Sequence, residues 1–349
     1  MYSFHKTIIG RPHGKLKAIK LGIIGAGGIG SIHIRNSIDS RNVELVGICE
    51  LKKSQAEACI NGQPIPIVES VGELIKFEPE GIIIASSTNS HGEVAKEIIE
   101  AEIPFLCEKP LASDLSQATQ IANFANEKQI FGAMAFNRRY HQRYIEIRDA
   151  IQAGEIGTPE TINIISRSAN PPSAKFISTS GGLFGEKGSH FYDLIWWIFE
   201  TNIHSVFAFG DSLFDPEFKA INQPDTAVVL MRLETGVLCS LNFSWRSGYG
   251  HDERLEISGS NGAIHSVKNS DAAYHGYAKG KFSQIEKFPN WNEIFRQTYR
   301  DELDFFISEA RSNDRIKLPT LFDGVKAQKV ADAITLSYSS KKPIDLKRQ

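Results

Sequence analysis

The stretch Ile19-Lys20-Leu21-Gly22-Ile23-Ile24-Gly25-Ala26-Gly27-Gly28-Ile29-Gly30 decides the fold. A short apolar run ends in a G-x-G-x-x-G and passes directly into helical patterning over residues 28–39. Gly25 allows a tight turn, Gly27 lets backbone approach a pyrophosphate, and Gly30 lets the helix lie close to the strand. The free N–H groups and positive dipole at the helix start, from Gly28 and Ile29 onward, hold phosphate oxygens. Glu50 ends the next apolar run about twenty residues on, where such folds place an acid on the adenosine ribose. A carboxylate there favours NAD by repelling a 2′-phosphate. Lys52 and Lys53 follow it and can pair with that phosphate, which leaves NADP open.

The alternation continues outward from this stretch. Apolar runs at Ile19–Ile24, Val43–Cys49, Ile65–Val68, Gly81–Ala85, Phe105–Cys107 and Ile130–Ala135 predict strands, with helices over 28–39, 52–60, 70–76, 91–101 and 114–128. Short strands separated by helices imply parallel pairing with crossovers. An α/β, doubly wound Rossmann domain is therefore expected over residues 19–137. After it the rhythm changes. A helix at 138–152, a strand at 160–166 and a helix near 182–199 lead into longer alternating runs at 203–209, 225–233, 237–246, 253–258 and 262–267. Thr235-Gly236 reads as a hairpin turn. Helices over 291–311 and 322–339 close the chain. The second domain, residues 138–349, is expected to be α+β with a large open, mainly antiparallel sheet, its last helices returning to the first domain. Residues 1–18 read as a basic N-terminal extension rather than a secretory signal, because no continuous apolar segment follows the charges.

Composition narrows the function. The 349 residues carry 39 Lys plus Arg against 41 Asp plus Glu, a formal charge of −2. That balance gives no electrostatic basis for binding nucleic acid or a membrane surface. No apolar run approaches the roughly 18 residues of a membrane span. Cys49, Cys59, Cys107 and Cys239 are few and unpaired in spacing, which points to buried free thiols in a reducing, cytoplasmic setting.

Polar residues at the carboxyl ends of the parallel strands are the candidates for chemistry. Ser86, Ser87, Thr88, Asn89 and His91 follow the fourth strand as cofactor contacts, with Asn89 or Ser90 also able to cap helix 91–101. Glu108-Lys109-Pro110 ends the fifth strand, with Glu108 on the cofactor side and Lys109 as a cation in the crevice. Further on, Glu186 and His190 are four apart and share a helix face, with Asp193 beside them. Gly185 and Gly188 each cost that helix about 1 kcal/mol, which close approach to a ligand would offset. His190 is suited to accept the proton of a secondary alcohol. Lys109 can stabilise the alkoxide, Glu186 can orient either, and Asn137 can bond nicotinamide or substrate. Arg167 and Tyr249 are placed at the substrate pocket. The Glu186/His190 spacing lacks an HExxH or Cys/His context, so no metal is expected. His33, His141, His251 and His275 are read as surface or loop residues, and Trp196-Trp197 as core.

The chain resembles the Gfo/Idh/MocA oxidoreductases from about residue 19 to 340. The glycine loop, Glu108-Lys109-Pro110, Phe136-Asn137-Arg138-Arg139-Tyr140, Gly181-Gly182 with Glu186 and His190, and the ending from Tyr299 to Ser337 carry the likeness. Ser166-Arg167 before Pro171-Pro172 is most similar to inositol 2-dehydrogenases. The resemblance implies that Lys109 and His190 are catalytic. Glu186 stands where that family has Asp, and Ser168 where such inositol dehydrogenases have Asp. It further implies a cis bond before Pro110 and a homodimer or homotetramer built through the open sheet. The expected activity is NAD(P)-dependent oxidation of a secondary hydroxyl on a cyclitol or sugar. An NAD-dependent glycosidase and a catalytically silent, sugar-sensing regulator are the alternatives.

Overall fold

Ile19, Leu21, Ile23 and all three isoleucines of Ile82–Ile84 are completely buried, as central parallel strands covered on both faces require. The computed structural model describes residues 18–178, 180–266, 277–278, 281–282, 291–311 and 319–348. His275 and nearly all of the N-terminal extension lie outside them. The first sheet comprises β1 (Ile19–Ile24), β2 (Val43–Cys49), β3 (Ile67–Val68), β4 (Gly81–Ile84), β5 (Phe105–Cys107) and β6 (Gly132–Met134). All pairs are parallel, in the order β3-β2-β1-β4-β5-β6. Strand order reverses between β1 and β4, so a crevice opens at their carboxyl ends. Helices α1 (Gly28–Asp39), α2 (Lys53–Ile60), α3 (Val71–Ile75), α4 (Thr88–Glu100) and α5 (Leu115–Glu127) make the crossovers. Helix α4 starts earlier than its patterning predicts, because Ser87 holds the extended N-cap conformation. Asn89 and Ser90 therefore lie inside the helix rather than at its cap.

The predicted helix at 138–152 is two pieces. A 3₁₀ turn, Asn137–Tyr140, is followed by α6 (Gln142–Gln152), with His141 between them accepting the Arg143 N–H at 3.2 Å. Next come β7 (Pro159–Arg167), α7 (Ala174–Ile177), a π-helical turn over Leu183–Lys187 and α8 (Ser189–Phe199). Then follow β8 (Ile203–Asp211), α9 (Pro216–Ala220), β9 (Thr226–Leu233), β10 (Leu238–Ser244), β11 (Asp252–Gly259), β12 (Gly262–His265) and a short hairpin, β13 (Tyr277–Ala278) with β14 (Lys281–Phe282). Finally α10 (Trp291–Ala310), α11 (Leu321–Ser340) and β15 (Ile344–Asp345) close the chain. The second sheet runs β12-β11-β7-β10-β9-β8-β15. It is antiparallel except where β7 and β10 pair in parallel. The two residues of β15 are too few to show a period-2 pattern in sequence.

This sheet has one covered face. Ile162, Ile164, Val229, Leu241, Phe243 and Ile257 point to a core shared with Ile195 and Ile198 of α8, against which Trp196 and Trp197 pack. Phe209, Val228 and Leu230 alternate to the opposite, open face. Helix α10 packs on the first sheet through Leu303, Phe306 and Ile307, whereas α11 bridges the two domains, with Leu321 and Ala327 in the first core and Val330, Ala331, Ala333 and Ile334 in the second. Phe306 stacks on Phe131 at 6.2 Å, and the Thr320 backbone bridges to Ala133.

Candidate active site

The glycine loop separates two requirements. A Cβ on Gly25, where φ is +96°, would lie 2.5 Å from the Ala85 carbonyl oxygen, and one on Gly30 only 2.2 Å from that of Gly25. The fold itself excludes side chains there. A Cβ on Gly27 or Gly28 would meet nothing within 4 Å. The open space lies at the start of α1, whose first turn has no side-chain cap and no acid. Uncapped N–H groups facing an open cradle are what a dinucleotide pyrophosphate needs. Glu50 reaches back to this loop. Its Oε2 accepts the Ala26 N–H at 2.7 Å and its Oε1 the Lys52 N–H at 2.8 Å.

On the other side of the crevice, Ser86 Oγ and Ser90 Oγ lie 2.8 Å apart, and Ser113 donates to Asn89 at 3.0 Å. His91 is inside the wall rather than on it. Its Nδ1 is 2.8 Å from the Pro110 carbonyl and its Nε2 3.1 Å from that of Ser86, stitching β4 to the turn after β5. Burial drives its pKa below the ordinary imidazole value despite those bonds. Glu108 also turns inward. Its Oε1 is 2.8 Å from Nε2 of His33, which is fully buried on α1. Glu302 of α10 completes a group whose ligand-type atoms lie within 4.8 Å of one another. The expectation of a surface His33 is thus corrected. An inward position on α1, facing β5, is invisible in a helix whose neighbours are also apolar. His251, only 6% exposed and 3.4 Å from Glu253, is corrected likewise.

Lys109 follows Glu108 and precedes a cis peptide bond to Pro110. Its Nζ contacts the Glu186 carboxylate and lies 3.1 Å from the Glu186 carbonyl oxygen. Glu186 sits on the π-helical turn, where the Gly188 N–H bonds back to Leu183 O at 3.3 Å. Glu186 thus belongs to the π-helical turn and His190 to the start of α8, with Gly188 between the two elements. Gly188 is required by protein packing, not by a ligand. Its Cβ would lie 2.1 Å from Tyr192 Oη and 2.4 Å from Phe184 O. A Cβ on Gly185, by contrast, would meet only Ser180 O, at 3.8 Å. Asp193 leaves the group to pair with Arg139, accepting from Nε at 2.9 Å.

His190, at the start of α8, lies edge-on to Phe136 with 6.5 Å between centroids. Its Nδ1 is buried without a partner among the described residues. Burial first, then the charges of Arg138 and Lys109, hold its pKa well below that of free imidazole. Asn137 is equally enclosed. Its Oδ1 accepts from Arg138 at 3.0 Å, and its Nδ2 has no described partner. The structure therefore gathers Lys109, Asn137, Glu186 and His190. It does not bring Arg167 to them. Arg167 is on the open face of the second sheet, 3.3 Å from Tyr249 Oη and 3.5 Å from Asn242 Oδ1. Its neighbour Ser166 faces inward instead.

Three inner residues escaped the sequence reading. Arg138 pairs with Glu253 at 3.1 Å and stacks on Phe295 at 4.3 Å. Burial pushes the Glu253 pKa up, but Arg138 and His251 together outweigh it and hold the carboxyl well below the usual carboxylate range. Lys187 lies beside Ser166 and Ser168. Arg138 and Glu253 are 115 residues apart, and only the sheet brings them together.

Comparison with known proteins places this arrangement. A family model described as "Oxidoreductase family, NAD-binding Rossmann fold" matches residues 19–136, and one described as "Oxidoreductase family, C-terminal alpha/beta domain" matches residues 148–346. The chain is 29% identical over 335 residues to the myo-inositol 2-dehydrogenase of Thermotoga maritima, aligning 95% of this chain with 97% of that one. It is 28% identical over 334 residues to the uncharacterized oxidoreductase YrbE of Bacillus subtilis, at 95% and 97% coverage. The solved structure of a myo-inositol dehydrogenase from Corynebacterium glutamicum superposes with a TM-score of 0.85 at 27% identity, covering 94% of this chain and 99% of that one. One family accounts for both sheets, and the chain belongs to the Gfo/Idh/MocA oxidoreductases, with an NAD-binding Rossmann domain.

Proposed function

We propose that the protein is an NAD-dependent dehydrogenase that oxidises a secondary hydroxyl of a cyclitol or sugar ring. One observation carries this reading. Lys109 from the end of β5 pairs with Glu186 and lies close enough to His190 for its charge to act on that imidazole, in a domain with an open glycine cradle. The myo-inositol dehydrogenases among its relatives set the substrate class.

Bound nicotinamide supplies a hydride acceptor at C4. The rest is done by this chain's own groups. Gly27, Gly28 and the first turn of α1 receive the pyrophosphate, and Glu50 accepts from ribose hydroxyls with its remaining lone pairs. Ser86, Ser87, Thr88 and Asn89 border the same crevice. His190, a neutral imidazole in its buried setting, accepts the hydroxyl proton. Lys109 stabilises the alkoxide that develops, and Glu186 fixes the ammonium for that task. The Asn137 Nδ2–H₂, without a partner among the described residues, supplies donors for a ring hydroxyl or the carboxamide.

NADH production across cyclitols, aldoses, sugar phosphates and nucleotide sugars tests this. The highest kcat/KM is expected among cyclitols or pyranoses. A linear alcohol or simple 2-hydroxy acid as best substrate would refute it. Release of an aglycone without net NADH would identify a glycosidase, and tight sugar binding without turnover a sensor.

The open face of the second sheet is the proposed contact for a homodimer or homotetramer. Phe209 is 59% and Leu230 49% exposed there, continuous with Val228. Leu230→Glu should shift sedimentation toward monomer, and an unchanged profile would rule the face out. All four cysteines are free and buried, which fits a reducing compartment such as the cytoplasm.

A further inference from the structure

The cations around the site are paired with carboxylates in all but one case. Lys109 pairs with Glu186, Arg138 with Glu253, and Arg139 with Asp193 and Asp323. Lys187 is only 7% exposed, yet no carboxylate among the described residues lies within ion-pair distance of it. Its Nζ donates to Ser168 Oγ at 2.8 Å and to Ser166 Oγ at 3.4 Å, and sits 4.8 Å from the centre of the Trp245 ring. An ammonium has three donors, so one remains without a described acceptor. Trp245 contributes an Nε1–H that is also buried and without a partner among the described residues. The corner is thus rich in donors and short of acceptors. Leaving a cation buried without a counter-charge is costly.

We propose that Lys187, with Ser166 and Ser168, forms a subsite for an anionic oxygen group, a carboxylate or a phosphate, carried by the cyclic polyol substrate. The proposal rests on the dehydrogenase reading above and narrows its substrate class. Lys187 shares the π-helical turn with Glu186, and the charges of Glu186 and Lys109 act on it, so a group bound there lies beside the reacting centre. Both serine hydroxyls accept from Lys187, and their own protons are free to turn toward an anion.

The charge on Lys187 is adjustable. Burial lowers its pKa to about 7, against Glu253 and Glu186, which raise it, and with Arg138 and Lys109, which lower it further. His190 is the remaining titratable group on the same segment. An anion in the subsite favours the charged form, so binding and protonation reinforce each other.

The test compares glucose with glucuronate and glucose 6-phosphate, and myo-inositol with its monophosphate, in the wild type and in Lys187→Met. In the wild type an anionic member should exceed its neutral parent by about 10–100-fold in kcat/KM, mainly through KM, as expected for a charge-assisted contact. The preference should fade as pH rises past the lysine pKa. The carboxylate and phosphate arms show which group is taken. Lys187→Met should abolish the preference, and Lys187→Arg should retain part of it. Should Lys187→Met not fold, the wild-type ratio and its pH dependence still decide. Equal or better use of the neutral parents in the wild type would overturn the subsite while leaving the dehydrogenase reading intact. If no polyol is oxidised at all, that reading fails instead. Calorimetry on NADH-loaded protein then decides the subsite: tighter binding of glucuronate or glucose 6-phosphate than of glucose supports it, and no difference overturns it.

Discussion

Glu50 Oε2 accepts the backbone N–H of Ala26 at 2.7 Å, so the acid after β2 is tied to the middle of the glycine loop. Its carboxylate shapes the cradle, and the proposed role for its remaining lone pairs is to accept from the ribose hydroxyls. Glu50→Ser should weaken NAD binding by about 10–100-fold, the usual loss for hydrogen bonds to a charged group. NADP binding should weaken less, because a repulsive charge leaves with the hydrogen bonds. Fluorescence titration of both cofactors measures the ratio. A wild-type preference for NADP of about tenfold or more would contradict this role.

Two glycines of that loop should behave oppositely. Gly30→Ala forces a methyl to within 2.2 Å of the Gly25 carbonyl oxygen. It should cost about 1–3 kcal/mol of stability, as overpacking does. Gly27→Ala meets no protein atom within 4 Å, so thermal stability should hold while NAD affinity falls. Melting curves with and without NAD separate the effects. Equal NAD affinity in Gly27→Ala and the wild type would place the pyrophosphate elsewhere.

His190→Ala should lower kcat by about 10²–10⁴-fold, the range for losing a general base. NAD affinity should stay near the wild-type value, since the glycine loop is elsewhere. Protonation of His190 removes the base, and its folded pKa lies well below the ordinary value. The acid limb of kcat/KM for a neutral substrate should therefore fall below about pH 6.5. An acid limb above that value, persisting in His190→Ala, would assign it to another group.

Glu302 should make stability pH-dependent. Burial first, and the neighbouring charge of Glu108 second, hold its pKa well above the usual carboxyl value. The folded state keeps a proton that the unfolded chain releases. This contribution is complete below the unfolded pKa of about 4.3 and is lost as pH rises through the folded value. Glu302→Gln keeps the shape without the ionisation. Its denaturation midpoint should fall less than that of the wild type as pH rises from about 5 to about 9. Parallel pH profiles for the two proteins would show that Glu302 carries no such proton.

Much of the first domain was legible because its signals are local. An apolar run, a glycine spacing and an acid at the next strand end lie within about thirty residues. The positions of Lys109 and His190 were legible for a related reason, as polar groups beside a strand end or a glycine-broken helix, while the roles assigned to them are proposals. The same local view misplaced Gly188, whose need comes from Tyr192 Oη and the Phe184 carbonyl.

The sequence by itself determined the doubly wound sheet and the place of the glycine loop, and it singled out Lys109 and His190 as the proposed proton-handling pair. Only the tertiary structure decided which neighbours of that pair face inward. Along β7, Ile164 and Ile165 are both apolar, so the period-2 phase of the strand is ambiguous in the chain. Packing of the sheet against α8 fixes that phase, turning Ser166 inward and Arg167 outward. The contacts of Lys187 with Ser168, and of Arg138 with Glu253, depend on the same choice. Each joins segments far apart in sequence, and such pairings follow from burial of a whole sheet face rather than from any local spacing.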